Sequence, residues 1–296
     1  MAPIPAPIQF FPIFLSIYTI SYLYIFRHWS PKSRAEASSC LISLSHSTPA
    51  LIMAPIALIR FQNLTFSSPN TESMNTVLDY SISYFVMDLI HYMVFDPDEV
   101  LFVLHHLATL FVFVTCRYVV GRGGFGIIGL LVLAEVTSLL QNVWTLAGTR
   151  QDEVGFARKV YDAVSVPFYG MYSVVRGVLG PLFVGWMGWY FVSGGADGVI
   201  PRWVWVSWLV VVVAAIGVSV LWVWNLWVEW FREREKRTEK KECLLRSLMG
   251  KMFGGSMVAV LVRCRIWGTQ LTPALERLTR AYAARLELKT APICTC

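Results

Sequence analysis

The chain has 296 residues, of which 56% are hydrophobic and 15% charged, and its mean hydropathy is +0.55. A soluble domain has about a quarter of its residues charged, so this composition excludes an ordinary soluble protein and indicates a membrane protein. The basic charge is concentrated at the end of the chain, where residues 232–296 carry 14 basic and 6 acidic side chains. No fold around these residues favours nucleic-acid binding, so we expect no nucleic-acid partner.

Seven apolar runs have about the length that a membrane-spanning helix needs. In chain order they are Phe10–Phe26, Ser38–Ile59, Val77–Phe95, Val100–Val120, Gly124–Ala147, Tyr161–Val192 and Trp203–Trp230. The sixth run contains Pro167 and Pro181, which predict a kink or a break. The pattern predicts an all-α polytopic membrane protein with about seven transmembrane helices.

These runs divide the chain into three parts. Residues 1–34 form an N-terminal anchor span and loop, since no basic segment precedes the first run as it would in a signal peptide. Residues 35–231 contain spans 2–7. Residues 232–296 form a basic tail, in which Met252–Val262 is predicted to be an interfacial segment and Ala274–Leu288 a basic surface helix. Such a tail is expected to contact anionic lipid.

The basic loops predict the orientation in the membrane. Residues 27–37, residues 148–160 and the tail are rich in lysine and arginine and fall on one side of a seven-span protein. By the positive-inside rule this side is cytosolic, so the N-terminus is lumenal and the C-terminus cytosolic. We expect residence in the endoplasmic reticulum or a related endomembrane. A glycosylation sequon at Asn63 lies on the lumenal side, and its use is left open.

Ionisable and amide side chains in four different runs fall at similar depths. They are His46, Asp88, His91, His105, His106, Glu135, Gln141 and Asn142. At 1.5 Å per residue the histidines and Asp88 lie about 7–12 Å from the cytosolic ends of their runs, and Glu135 lies near the middle. An ionised side chain inside a bilayer costs about 3 kcal/mol, so these groups must face protein or water. The sequence therefore predicts a polar cavity that is open toward the cytosol.

Two interpretations of this cluster remain open. Asp88 and His91 lie three residues apart on one helix face, as expected when a carboxylate orients an imidazole that acts as a general base. The carboxylates could instead only accept hydrogen bonds inside a packed bundle. His105 and His106 are adjacent and point about 100° apart, so one can face the cavity while the other packs or orients it. They cannot both be ideal ligands of one ion, and we expect neither a metal site nor a resident cofactor.

From Ser38 to Trp230 the sequence resembles the TLC family, which includes ceramide synthases, and it is most similar to plant TLC-domain proteins. The segments that carry this resemblance are Asp88-Leu-Ile-His91-Tyr92, Asp96-Pro-Asp-Glu-Val-Leu-Phe, His105-His106-Leu-Ala-Thr109, Ala134-Glu135-Val-Thr-Ser, Gln141-Asn142 and Arg176-Gly-Val-Leu-Gly180-Pro181. The resemblance implies that spans 2–7 form a ring around a cavity that admits a lipid or an acyl chain.

In ceramide synthases a pair of histidines supports transfer of an acyl group from acyl-CoA to a sphingoid amine. His105 and His106 match that pair, and Thr109 matches the threonine that follows it. The His-Asp-x-x-Asp stretch of ceramide synthases is reduced here to Glu135, and its second acid is absent. The resemblance therefore implies a lipid cavity and leaves acyl transfer in question.

We accordingly expect a lipid-handling protein that acts in membrane lipid homeostasis and binds a lipid or acyl chain beside His105 and His106. The residues expected to bind lipid are His46, Thr109, Gln141, Asn142 and Arg176. Arg176 could equally serve structural pairing, and His46 could equally be a satisfied interior histidine. The alternative is an acyltransferase with acyl-CoA as co-substrate, in which His105 or His106 is the base or transient acyl acceptor, Asp88 or His91 orients it and Glu135 balances charge. A trafficking or scaffold protein that works through the basic tail is the third hypothesis. The sequence leaves open whether the chain forms a homodimer.

Overall fold

The computed structural model describes residues 6–60 and 63–253, and the elements within them are helices. Three of the helical segments contain a short π-helical turn. In chain order the elements are α1 (Ala6–Ile20) with a π turn at Ser21–Ile25, α2 (Pro31–Ile59), α3 (Glu72–Phe95), α4 (Val100–Val114) with a π turn at Thr115–Val120, α5 (Gly124–Arg150), α6 (Gly155–Val174), a π turn at Val175–Leu179, α7 (Gly180–Val192) and α8 (Arg202–Phe253).

Helices α2 and α3 begin well before the apolar runs that predicted them, at residues that cap them. The Oγ atom of Ser30 accepts a hydrogen bond from the backbone N–H of Ser33, and Pro31 occupies the first turn of α2. Thr71 caps α3 in the same way. Serine, threonine and proline at a helix start are polar or conformational signals, which a search for apolar runs does not detect. Part of the predicted loop 27–37 is therefore helical.

The sixth predicted run is interrupted at one of its two prolines. Pro167 lies inside α6, whereas Pro181 stands in the first turn of α7, directly after the π turn Val175–Leu179. Proline has no N–H to donate, and a π turn rearranges the helix hydrogen bonds that would otherwise require that donor. The widened turn carries Arg176 and positions its side chain.

The helices up to Leu226 form one compact unit with a ring of six spans. Helix α2 packs between α3 and α5, α3 also contacts α4, and α5 contacts α6. Helix α8 closes the ring: the rings of Phe102 and Trp222 meet edge to face at 5.8 Å, and Trp208 Nε1 donates to Thr115 Oγ1 at 2.8 Å. Helix α1 packs against α3 and α2. The expected all-α polytopic architecture is confirmed.

Four helical segments are individually long and apolar enough to cross a bilayer: Pro31–Ile59, Val100–Val120, Gly124–Arg150 and Arg202–Lys236. Gln9–Ile25 is a shorter apolar helix. Helix α3 is less apolar because it carries Asp79 and Asp88, which are 2% and 3% exposed. Asp79 is satisfied by Arg117, which donates from Nε and from a terminal nitrogen, and by the hydroxyl of Tyr118. Such a helix is stable in a membrane because its neighbours pair its polar side chains.

The second unit begins at Trp227. Its first residues place the rings of Trp227, Trp230 and Phe231 against one another, and Arg234 Cζ lies 4.6 Å from the centroid of the Trp230 ring. The predicted interfacial segment Met252–Val262 lies outside the described residues from residue 254 onward, and so does the whole of the predicted surface helix Ala274–Leu288. Asn63 of the sequon is exposed.

Candidate functional site

A cavity of about 1290 Å³ lies inside the ring of helices. Its volume exceeds the range of about 300–1000 Å³ that is usual for small-molecule pockets. At one end, beside the α1–α2 and α3–α4 connections, its wall contains Lys32, Glu36, Asp96 and Glu99. The other end is apolar and is lined by Phe113, Ile127, Leu130 and Leu131. The cavity therefore runs from a charged mouth to an apolar inner end.

Asp88 and His106 form a buried pair in the cavity wall. Asp88 Oδ2 lies 2.9 Å from His106 Nε2, and the hydroxyl of Tyr84 donates to the same oxygen at 3.2 Å. Asp88 Oδ1 accepts from Ser39 Oγ at 2.6 Å. The carboxylate thus joins α2, α3 and α4 at one point.

The position of one proton in this pair follows from the geometry. His106 Nδ1 lies 2.7 Å from the carbonyl oxygen of Phe102, which can only accept, so Nδ1 must carry a hydrogen. The contact between His106 Nε2 and Asp88 therefore contains one shared proton, held either as imidazolium and carboxylate or as imidazole and carboxylic acid. In both forms the pair is neutral overall, which lowers the cost of burying it.

His105 differs from His106 in its accessibility. Its side chain is exposed and lines the cavity, whereas His106 is 4% exposed. The two rings are perpendicular, at an interplanar angle of 89°, with centroids 5.6 Å apart. The 100° rotation between successive helix residues produces this division. His105 consequently offers the accessible imidazole, and His106 is held by its two partners.

His91 connects the cavity to the first helix. Its Nδ1 lies 2.9 Å from the hydroxyl of Tyr18 on α1, and its ring stacks on that of Phe95 at 5.7 Å. His91 is 4% exposed and lies in the cavity wall. Helix α1, predicted to be an anchor span, thus also holds a histidine of this wall through the hydroxyl of Tyr18.

His46 lies behind the wall and does not line the cavity, although we predicted it to bind lipid. It is 0% exposed, its ring stacks on Tyr84 at 4.2 Å, and Nε2 lies 3.0 Å from Ser81 Oγ. Its Nδ1 lies 3.6 Å from Glu135 Oε1, beyond hydrogen-bond distance. Glu135 is 5% exposed and does line the cavity. The structure therefore gives His46 a packing environment beside Glu135.

The other predicted lipid-binding residues lie in the cavity wall, namely Thr109, Gln141, Asn142 and Arg176. Asn142 Nδ2 donates to Ser43 Oγ and to the carbonyl of Ser138, both at 2.8 Å. Four helical segments, namely α3, α4, α5 and the π turn between α6 and α7, thus bring the predicted polar side chains to one cavity. Among the predicted site residues, His46 is the one that does not line this cavity.

Sequence reasoning missed Ser39, Tyr84 and Tyr18, which bind the cluster. Tyr84 lies one helical turn before Asp88, and this i, i+4 spacing was a usable signal. The contacts of Ser39 and Tyr18 join residues 49 and 73 positions apart along the chain, so they depend on how the helices pack.

Chemically, the site combines an accessible imidazole, a neutral proton-sharing pair and an apolar space. This combination can accept a polar headgroup beside His105 and an acyl chain beyond it. The accessible imidazole offers a ring nitrogen that can accept a hydrogen bond or a proton from a bound group.

Comparison with known proteins identifies relatives of this chain. The sequence pattern of the TLC domain matches residues 36–228. A TLC domain-containing protein of Arabidopsis thaliana is 56% identical over 197 residues, which cover 66% of this chain and 78% of that protein. No solved structure matches the chain.

Proposed function

The chain belongs to the TLC-domain family, and from this premise we propose that it handles lipid within a membrane. It binds a lipid or an acyl chain in the cavity beside His105 and His106, and it acts in membrane lipid homeostasis at the endoplasmic reticulum or a related endomembrane. One observation carries this proposal: a cavity of about 1290 Å³ joins a charged mouth to an apolar inner end. Amphiphiles have this same division into a polar and an apolar part.

The packing of α8 suggests where lipid enters. On one side α8 lies close to the α6–α7 segment, where a Cβ added at Gly180 would lie 2.9 Å from Ile216 Cδ1. On the other side the Phe102–Trp222 contact and the Thr115–Trp208 hydrogen bond join it to α4 and to the π turn after it. Between these two contacts, four residues are exposed and also line the cavity: Leu104, His105, Val210 and Ala214. We propose that acyl chains enter from the bilayer here.

The test uses full-length protein purified in detergent, with bound lipid identified by mass spectrometry. Ala108→Phe places a large ring in the cavity wall. Leu107→Phe places the same ring at the preceding residue, which is exposed and does not line the cavity. We expect co-purified lipid in the wild type and in Leu107→Phe, and its loss in Ala108→Phe. Absence of lipid from correctly folded wild type, or equal lipid in the two variants, would contradict the proposal.

The second candidate is acyl-CoA-dependent N-acyl transfer, as in ceramide synthases. It is favoured by one observation, the accessible ring of His105 beside the buried pair of His106 and Asp88. Since both nitrogens of His106 are occupied, His105 is the better general base or acyl acceptor, and His106 is a positioning residue. Purified protein offered labelled acyl-CoA and lipid amines should then form product, and His105→Ala should abolish it. Unchanged product in His105→Ala would exclude this chemistry.

A further inference from the structure

Arg176 lies far from the mouth of the cavity, and its depth is unusual for a cation. Its guanidinium contacts the carbonyl oxygen of Ala134 on α5. At 1.5 Å per residue, Ala134 lies about 15 Å from the start of α5 at Gly124 and about 24 Å from its end at Arg150. Because the hydrocarbon layer of a bilayer is about 30 Å thick, Arg176 lies near its middle.

The pairing of this guanidinium is incomplete. It has five N–H donors. Nε donates to Thr137 Oγ1 at 3.3 Å and a terminal nitrogen donates to the Ala134 carbonyl at 3.2 Å, both long for hydrogen bonds to a charged donor. Its Cζ lies 5.6 Å from the centroid of the Tyr172 ring. Arg176 is half-buried and lines the cavity, so its other N–H groups are accessible from the cavity.

The acids of the cavity wall make no close ion pair with Arg176. Glu135 follows Ala134 in sequence and interacts with Arg176 only at longer range. Asp88 is bound by His106, Ser39 and Tyr84. Within the part of the chain that the structure describes, no carboxylate lies within 4.0 Å of the Arg176 guanidinium. A cation at this depth needs an anionic partner to offset the cost of its burial.

The wall of the cavity changes character at the level of Arg176. Along α5, the residues that line the cavity after Ala134 include Ser138, Gln141 and Asn142, which are polar. Before Ala134 they are Ile127, Leu130, Leu131 and Leu133. An anionic headgroup at Arg176 would therefore have polar surroundings toward the mouth and an apolar space beyond it for a chain.

We propose that Arg176 binds the carboxylate or phosphate headgroup of an anionic lipid whose acyl chain fills the apolar end of the cavity. Both headgroups accept paired hydrogen bonds from a guanidinium in the same way. This assignment rests on the proposed lipid-binding function and adds the charge and the direction of the bound molecule. The headgroup faces the charged mouth, and the chain points toward Phe113 and Ile127.

Binding of four probes with the same chain to the full-length protein tests the assignment. The probes are oleic acid, oleoyl lysophosphatidic acid, oleyl alcohol and oleylamine. We expect at least one of the two anionic probes to bind about tenfold more tightly than oleyl alcohol, because hydrogen bonds to a charged group are strong at a buried site. The tighter anionic probe identifies the headgroup as carboxylate or phosphate.

Three variants connect this preference to the guanidinium. Arg176→Gln should remove the preference for anionic probes while still binding oleyl alcohol, and Arg176→Lys should keep part of it. Arg158→Gln is the matched control, because Arg158 is half-buried on α6, does not line the cavity, and already pairs with Asp152 and Asp162. Its substitution should leave the probe preference unchanged. If Arg176→Gln does not fold, as judged by gel filtration, the probe preferences of the wild type and of Arg176→Lys decide.

The outcomes separate this inference from the function on which it rests. Equal binding of oleic acid, lysophosphatidic acid and oleyl alcohol by the wild type would overturn the assignment, as would a preference that persists in Arg176→Gln. In either case, loss of oleyl alcohol binding in Ala108→Phe would leave the lipid cavity supported. Failure of the folded wild type to bind any of the four probes would overturn both.

Discussion

His106 Nε2 lies 2.9 Å from Asp88 Oδ2, and the two side chains are 5% exposed. Because the other nitrogen of His106 donates to a backbone carbonyl, this contact holds one proton between an imidazole and a carboxylate. A pair of this kind joins α3 to α4 and forms part of the cavity wall.

Removing either member of this pair should be strongly destabilising. Asp88→Ala and His106→Ala should each lower the free energy of unfolding by about 3–5 kcal/mol, because each leaves buried partners unpaired. The double substitution should cost less than the sum, with a coupling energy of about 1–3 kcal/mol. The measurement is reversible unfolding in detergent micelles. Asp98→Ala, in the exposed α3–α4 connection, is the control and should have little effect. Additive costs would mean that the two side chains do not interact.

The accessible ring of His105 should react with a histidine-specific reagent. Diethyl pyrocarbonate should modify His105 and the exposed His28 at least about tenfold faster than His46, which reacts only after local unfolding. Peptide mass spectrometry measures the extent at each site. Filling the cavity with lipid should slow modification of His105 and leave His28 unchanged. If His46 reacted as fast as His105, the cavity wall would not have the arrangement described.

The first helix should be held by the hydroxyl of Tyr18. Tyr18→Phe keeps the ring and removes the hydrogen bond to His91 Nδ1, so the free energy of unfolding should fall by about 1 kcal/mol. Tyr24→Phe is the matched control, since Tyr24 lies on the following π turn and is 68% exposed. Equal effects of the two substitutions would show that the contact contributes nothing.

The ion pair of Arg117 and Asp79 should require the guanidinium shape as well as its charge. Arg117→Lys should cost about 1–3 kcal/mol, because lysine cannot reproduce the paired hydrogen bonds that Arg117 donates to Asp79. Arg60→Lys, at an exposed helix end, should be neutral. Replacing both partners by apolar residues, as in Asp79→Leu with Arg117→Met, should be tolerated better than Asp79→Leu alone. If the double variant were no better, the pair would not act as a unit.

The helices could be predicted from the sequence because the hydropathy of a span depends only on the residues within that span. The seven runs, an irregularity in the sixth run, and the shared depth of Asp88, His91, His105 and His106 need only the composition of one segment and the rise of a helix. The directions of the two adjacent histidines followed from the helix repeat. Helix starts were less accurate, since Ser30 and Thr71 cap α2 and α3 outside the apolar runs.

The partners of these side chains could not be predicted in the same way. The contacts of Ser39 with Asp88 and of Tyr18 with His91 join distant parts of the chain, and one sequence contains no signal for them. For His46, depth along the helix predicted the wrong environment. Its depth is that of a cavity residue, but stacking on Tyr84 encloses it completely.

By itself, the sequence determined that this chain is a helical membrane protein with polar groups at one level, because hydrophobicity and helical rise are local properties. Tertiary structure decided which of those groups reach the cavity and which nitrogen of His106 holds a hydrogen. It also decided that, among the described residues, no carboxylate lies within 4.0 Å of the Arg176 guanidinium. These features depend on distances between helices, and a few ångströms of packing separate a paired side chain from an accessible one.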